Sequence, residues 1–275
     1  MEEKIIVTLT SYKHRLANLP TVLDTIFVQN MPPDVVVLNI AYGEVLPDNV
    51  ADYLKDHGVD IFRVADTKVY KKLIPTLKRY PHDVIITIDD DFLYPSGMIE
   101  DFMSIHTKHP NNPISGNQEV FYGMQCHCGC ASLTKAKFFG EYLYQINDEL
   151  IKNCPSDDMV YTFFALKAGY PYLQTENEYF LNMIECNING NKSYTDMING
   201  DTGVINTYRY LVNRFGELKN TTALYVHDED IAKVIDNIHK KTEWKIENEI
   251  RSSHAYRLGK KILKPIIKAK KMIGK

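Results

Sequence analysis

The 275-residue chain has one tryptophan, only 14 glycines, no internal repeat and no low-complexity stretch. That excludes collagen-like, linker-like and solenoid architectures. No apolar run approaches the roughly 18 residues that a membrane-crossing helix needs. The opening "MEEKIIVTLTSY" starts with acids and reads as a strand, without the basic-then-apolar layout of a signal peptide. Cysteine is scarce and odd in number, five in all, so the thiols are expected to be reduced in a cytoplasmic protein. Positive charge is scarce too, except at one end. Eight of the 32 basic residues fall from Arg257 onward, where there are no acids, leaving 24 basic against 35 acidic residues before it. Such an acidic body excludes general nucleic-acid binding, which needs a broad basic surface.

The run "CHCGC" (Cys126, His127, Cys128, Cys130) invites a zinc reading. Structural zinc sites pair ligands two to four residues apart and need a second pair elsewhere. Alternation along one strand instead predicts the three cysteines on a single face, as small buried hydrophobes.

The chain does contain alternating strands and helices. Apolar strand runs appear at Lys4–Thr10, in "DVVVLNIAY", in "VDIFRVAD" and in "DVIITID". Helical spacing separates them at Leu16–Gln29, Asp48–His57 and Tyr70–Tyr80. Near-continuous apolar strands between helices predict an open, mostly parallel α/β sheet covered on both faces. A helix is expected at Met98–Lys108, and strand-like pieces at Pro113–Asn117 and Gly123–Leu133. Further helices are expected at Lys135–Asn153, Asp157–Ala168, Val204–Phe215 and Asp230–Glu249. Segment 170–204, rich in Asn, Gly and Tyr, reads as a loop or lid. The expected divisions are a catalytic domain over 1–225, a helical segment over 226–256 and a basic tail over 257–275.

The fourth strand runs straight into Asp89, Asp90 and Asp91. In an open parallel sheet, ligands bind beyond the carboxyl ends of the strands. Three adjacent, partly buried carboxylates repel one another and need a cation in balance. Mg²⁺ or Mn²⁺, hard ions that keep waters and substrate phosphates as further ligands, would supply it. A second acidic pair, Asp157 and Asp158, opens a helix behind Ser156 as cap. Such acids also simply favour a helix N-terminus.

"TIDDD" after the fourth strand resembles the DxD motif of GT-A-fold nucleotide-sugar glycosyltransferases. "GCASLTKAKFFGEY" (Gly129–Tyr142) and "SDDMVYTFFALKAGY" (Ser156–Tyr170) resemble the acceptor-side segment and acidic-pair helix of family-2-like members. "TLTSYKHRL" and "KVYKKLIPTLKRYPHDVIITIDDD" are similar to bacterial polysaccharide glycosyltransferases of that group. The resemblance covers residues 4 to 175 in order, although "NIAYGE" stands where the common pattern has an Asp-Gly-Ser turn. It implies a Rossmann-like GT-A sheet with a C-terminal helical extension, and a metal-dependent hexosyltransferase using a nucleotide-sugar donor, UDP by preference. By the same resemblance Asp91 ligates the metal, with Asp89 at the metal or the ribose and Asp90 in support. Thr10, Ser11 and Arg15 line the nucleotide pocket. Asp66 receives the base's ring NH, and Lys71 and Lys72 steady the phosphates. Asp157 or Asp158 is the general base for an inverting attack by a saccharide hydroxyl. His227, Asn206 and His127 are candidates for a further metal ligand.

The tail interleaves Leu258, Ile262, Ile266 and Ile273 with lysines. Basic amphipathic segments are drawn to anionic lipid, which predicts peripheral attachment to the inner face of the membrane and a lipid-linked acceptor. Two other enzymes fit less well. Sugar nucleotidyltransferases carry a Gly-rich loop after the first strand, and "TLTSYKHRL" has no glycine. HAD-type phosphatases carry their acidic motif on the first strand, not the fourth. An inactive carbohydrate-binding or membrane-scaffold relative is the non-enzyme alternative, opposed by two intact acidic motifs.

Overall fold

A computed structural model describes residues 3–121, 124–127, 130–175, 184–186 and 201–218. All belong to the first of the chain's two units, Met1–Thr221. The expected helix at 230–249, the basic tail, His227 and most of the 170–204 segment lie outside the described residues.

A seven-stranded sheet forms the centre. Its strands are β1 (Ile5–Thr10), β2 (Val35–Ala41), β3 (Asp60–Val64), β4 (Val84–Ile88), β6 (Ile114–Ser115), β9 (Ala131–Thr134) and β10 (Leu173–Gln174), in the order β10-β6-β9-β4-β1-β2-β3. Pairing is parallel from β4 through β1 and β2 to β3, and β9 runs antiparallel to both neighbours. Two ribbons flank it: β5 (Phe92–Leu93) with β11 (Ile184–Glu185), and the hairpin of β7 (Gln118–Phe121) and β8 (Met124–His127).

Strand residues alternate between faces, and each face is apolar because each is covered. Val7, Leu9, Val36, Leu38, Ile86 and Ile88 pack under α1 (Leu19–Phe27), α2 (Asp48–Asp56) and α4 (Met98–Lys108). Ile6, Val37 and Ile85 pack under α3 (Ile74–Arg79), α5 (Asp148–Asn153), α6 (Asp157–Lys167) and α7 (Asp201–Phe215). Helix α6 is buried on nearly every side, with Met159 to Ala165 all inside. Full burial of side chains such as Phe163 and Phe164 contributes roughly 1.5–3 kcal/mol each, so the first turn of α6 is firmly placed.

Several expected elements are broken by local chemistry. Tyr70–Tyr80 is a 3-10 turn, Lys68–Lys72, followed by α3, whose first turn contains Pro75. Lys135–Asn153 is two short 3-10 pieces within Ala136–Gln145, broken by a kink at Gly140, whose φ is positive (+52°), and then α5 capped by Asn147. Glycine takes that conformation without the Cβ penalty. The helix expected from Val204 begins at Asp201. The cysteine run does not share one strand: Cys126 is in β8, which ends at His127, and Cys130 lies just before β9. Among the described residues no helix is long and apolar enough to cross a membrane.

Candidate active site

The face of the sheet beneath α3 and α6 changes character along the strands. Ile6 gives way to Thr8 and Thr10 on β1, Val37 to Asn39 on β2, and Ile85 to Thr87 and then Asp89 on β4. Thr8 and Asn39 are completely buried and Thr87 nearly so. This period-two polar row leads to the carboxyl ends of the strands. It is present in the sequence, but treating the strands as continuous apolar runs passes over it.

At that end the three aspartates separate. The Asp89 carboxylate takes an ion pair from Lys72 Nζ at 2.7 Å. Its main-chain N–H donates to Tyr94 Oη at 2.7 Å, and the Tyr94 hydroxyl donates to the Cys130 carbonyl at 2.7 Å. Tyr94 is buried and ties the acidic turn to the approach to β9. Tyr94→Phe strands both partners, and an unsatisfied buried group costs about 1–3 kcal/mol; urea denaturation should show a loss of that size. Asp90 accepts from Ser11 Oγ at 2.6 Å and from Arg15 Nη1 at 3.0 Å. The same Arg15 nitrogen reaches Asp91 Oδ2 at 2.8 Å. Burial raises the Asp90 carboxyl above its ordinary value, while Ser11 and Arg15 pull it down.

The second acidic pair meets this group. Ser156 caps α6, its hydroxyl accepting from the Met159 N–H. Asp157 is buried, and its Oδ2 has no hydrogen-bond partner among the described residues. Burial, and then the Asp158 charge, push its carboxyl up to about 7, against the pull of Lys72. Asp158 keeps a quarter of its side chain exposed, and its Oδ1 lies 3.4 Å from His127 Nε2. The other His127 nitrogen meets Ser115 Oγ at 2.7 Å, and the ring stacks on Tyr172 with planes 10° apart. Both imidazole nitrogens are therefore engaged, and burial lowers the ring's proton affinity. Lys72 stands among Asp89, Asp157 and Asp158; burial disfavours its charge, but the three carboxylates outweigh burial and keep it protonated.

The raised Asp157 value has a signed consequence. Between its ordinary 3.8 and about 7, the folded chain holds a proton that the unfolded chain has released. Stability from this group therefore falls as pH rises through that window. Asp157→Asn should flatten that slope and raise Tm at pH 8, by about 2–4 °C for each kcal/mol of buried-charge cost removed. Calorimetry of both proteins from pH 4 to 8 checks it.

The remaining sequence candidates divide. Asp66, just past β3, binds Lys71 at 2.6 Å and Lys68 at 2.9 Å, whose hydrogen bonds hold its carboxylate well below the usual range. Lys71 is thus turned to Asp66, while Lys72 belongs to the carboxylate cluster. Thr10 donates to the Asn39 carbonyl at 2.7 Å. Asn206 is exposed on α7. Two participants were not anticipated. Tyr94 braces the acidic turn, and Cys130 lies within electrostatic range of Asp89, Asp158, Lys72 and Asp91, its thiol pushed up to about 12 by burial and then by Asp89.

Comparison with solved structures settles the architecture. A mannosyltransferase from Pyrobaculum calidifontis, solved with GDP-Man and Mn²⁺, superposes with a TM-score of 0.59 at 12% identity, over 97% of this chain and 86% of that one. The fold is GT-A. Two structures align with lower TM-scores. The Mycobacterium tuberculosis glucosyl-3-phosphoglycerate synthase reaches 0.49 at 12% identity, over 79% of this chain and 80% of its own. A 4-diphosphocytidyl-2C-methyl-D-erythritol synthase reaches 0.46 at 12% identity, over 72% and 97%. No family model and no curated protein sequence matches the chain. The GT-A sheet here carries its acidic turn at the end of β4, next to the central β1, with α6 bringing the second acidic pair to it.

Among the described residues no three His, Cys, Asp or Glu side chains converge as a metal cage. The charges nonetheless suit one divalent ion. Even with Asp157 left out of the count, Asp89, Asp90, Asp91 and Asp158 face Arg15 and Lys72, four acids against two bases. Mg²⁺-type ions are commonly held by one or two carboxylates plus substrate phosphates and water, not by a full protein cage.

Proposed function

We propose that this chain is a metal-dependent glycosyltransferase. It moves a sugar from a nucleotide-sugar donor, a UDP-sugar first, to a saccharide hydroxyl. The observation that carries the reading is the meeting, through Lys72, of Asp89 in the acidic turn with the acidic pair Asp157 and Asp158, at the carboxyl end of β4 in a GT-A sheet. Asp91 and Asp89 would hold Mn²⁺ or Mg²⁺, whose chemistry when bound is to neutralise the diphosphate leaving group. Ser11 and Arg15 hold Asp90 in place behind that turn. Thr10 at the end of β1, Asp66 just past β3 and Lys71 in the 3-10 turn that follows would form the nucleoside side, and Lys72 would meet a phosphate oxygen. Asp158 takes the acceptor proton: its carboxylate reaches solvent while His127 steadies it from behind. Attack from that side inverts the anomeric centre.

The acceptor in this reading is a lipid-linked saccharide at the inner membrane face. The chain's domains are 1–225, 226–256 and the tail 257–275, which holds the protein at anionic lipid. Deleting 257–275 should abolish sedimentation with phosphatidylserine vesicles, and unchanged sedimentation would remove this part of the proposal. The enzyme reading is tested by thermal shift against UDP, GDP, CDP and TDP, each with Mn²⁺ and with EDTA. A shift with one nucleotide that EDTA removes is the expected result; no shift with any of the four overturns the proposal.

A further inference from the structure

Thr8, Asn39 and Thr76 are fully buried on a face whose neighbouring rows hold Ile6, Val37 and Ile85. They touch one another. Asn39 Nδ2 donates to Thr76 Oγ1 at 2.8 Å and to Thr8 Oγ1 at 3.1 Å. The two hydroxyls are 2.8 Å apart. Thr8 Oγ1 donates to the main-chain carbonyl of Lys72 at 2.8 Å, and Asn39 Nδ2 lies 3.4 Å from the same oxygen. With the Thr8 proton committed to Lys72, Thr76 must donate to Thr8. The donors then run in one direction, from Asn39 through Thr76 and Thr8 to that carbonyl.

The carbonyl they serve is an unusual one. Lys72 ends the 3-10 turn, and Pro75, three residues on, has no N–H to offer back to it. Two strands and the start of α3 converge to satisfy a single peptide oxygen. Stability alone does not call for this, since replacing a whole buried polar set by apolar groups of the same shape is close to neutral. What the arrangement does fix is the Lys72 main chain, at the root of a side chain that must place its ammonium 2.7 Å from Asp89 and within reach of Asp157 and Asp158.

We infer that Thr8, Asn39 and Thr76 are positioning residues that lock the Lys72 backbone and thereby hold its ammonium among Asp89, Asp157 and Asp158. The inference rests on the donor-site reading only for what Lys72 does there, and the test is independent of turnover.

Full-length protein is treated with limiting acetic anhydride, and acetylation of Lys72 and Lys71 is followed in chymotryptic peptides by mass spectrometry. Lys71 is the internal control, being buried and paired with Asp66 rather than with the network. Thr8→Val and Thr76→Val each remove one hydroxyl at nearly constant shape. Each should speed Lys72 acetylation by about tenfold, the upper range for one lost hydrogen bond, and leave Lys71 unchanged. Thr76→Ser should restore the slow Lys72 rate. An equal rise at both lysines, no rise at Lys72 in either valine variant, or failure of serine to rescue overturns the inference. Selective exposure of Lys72 in a protein without a metal-dependent nucleotide shift would uphold the positioning role and overturn the donor-site reading.

Discussion

Asp158→Asn is expected to lower kcat by about 10²- to 10⁴-fold, the usual contribution of a positioned general base, while nucleotide binding persists. The amide has the same outline and keeps a contact to His127, but it cannot accept the acceptor hydroxyl's proton. Asp158 is favoured over Asp157 because it retains solvent access, whereas Asp157 is buried and holds its proton up to about pH 7. The assay is release of nucleoside diphosphate from the donor that the thermal-shift panel selects, with saccharide acceptor at saturation. The same shift, run on the variant, reports binding. Full turnover in both Asp158→Asn and Asp157→Asn would remove the base assignment altogether.

Asp91→Ala should have an effect of comparable size on a different quantity. If Asp91 is one of the two proposed carboxylate ligands, its loss should cost on the order of 10³-fold in kcat/KM, about 4 kcal/mol, and should erase the Mn²⁺-dependent part of the nucleotide thermal shift. The fold should survive, because Arg15 keeps its second partner, Asp90, which Ser11 also holds. An unchanged Mn²⁺-dependent shift would exclude Asp91 as a ligand. A shift that becomes insensitive to EDTA, yet remains, would mean that Arg15 and Lys72 bind the nucleotide without the ion.

The parallel sheet was legible because each strand is buried on both faces and shows itself as an apolar run, with helices of ordinary spacing between. The boundaries of α4 were legible for the same reason. The broken helices were less so. Pro75 and Gly140 stand openly in the sequence, but a proline in a first turn and a glycine within a helical pattern are both tolerated, so neither dictates a break by itself. The acidic motifs marked the candidate site, since carboxylates at a strand end are costly without a partner. Their partners were only half visible. Arg15 and Lys72 were nucleotide-pocket candidates, but a pattern of letters does not show that Arg15 spans Asp90 and Asp91, or that Lys71 and Lys72 turn to different acids. Tyr94 meets Asp89 five residues away but ties it to Cys130 across 36 residues of sequence, a link that no local periodicity carries. Thr8, Asn39 and Thr87 were within reach: polar residues at every second place on a buried strand mark a face that has stopped being core.

The ion pairs of Arg15 and Lys72 also bear on how a ligand is taken up. Because Asp89, Asp90 and Asp91 each already have a fixed protein cation beside them, loading the proposed donor site would be an exchange of partners and not the filling of a bare negative hole. In the proposed function a metal–diphosphate would arrive as a pair, its positive half going to the aspartates and its negative half to the cations they release. Little net charge then moves from water to protein. Binding should consequently depend only weakly on ionic strength, in contrast to a phosphate site built from solvent-exposed lysines, where salt screens each contact directly.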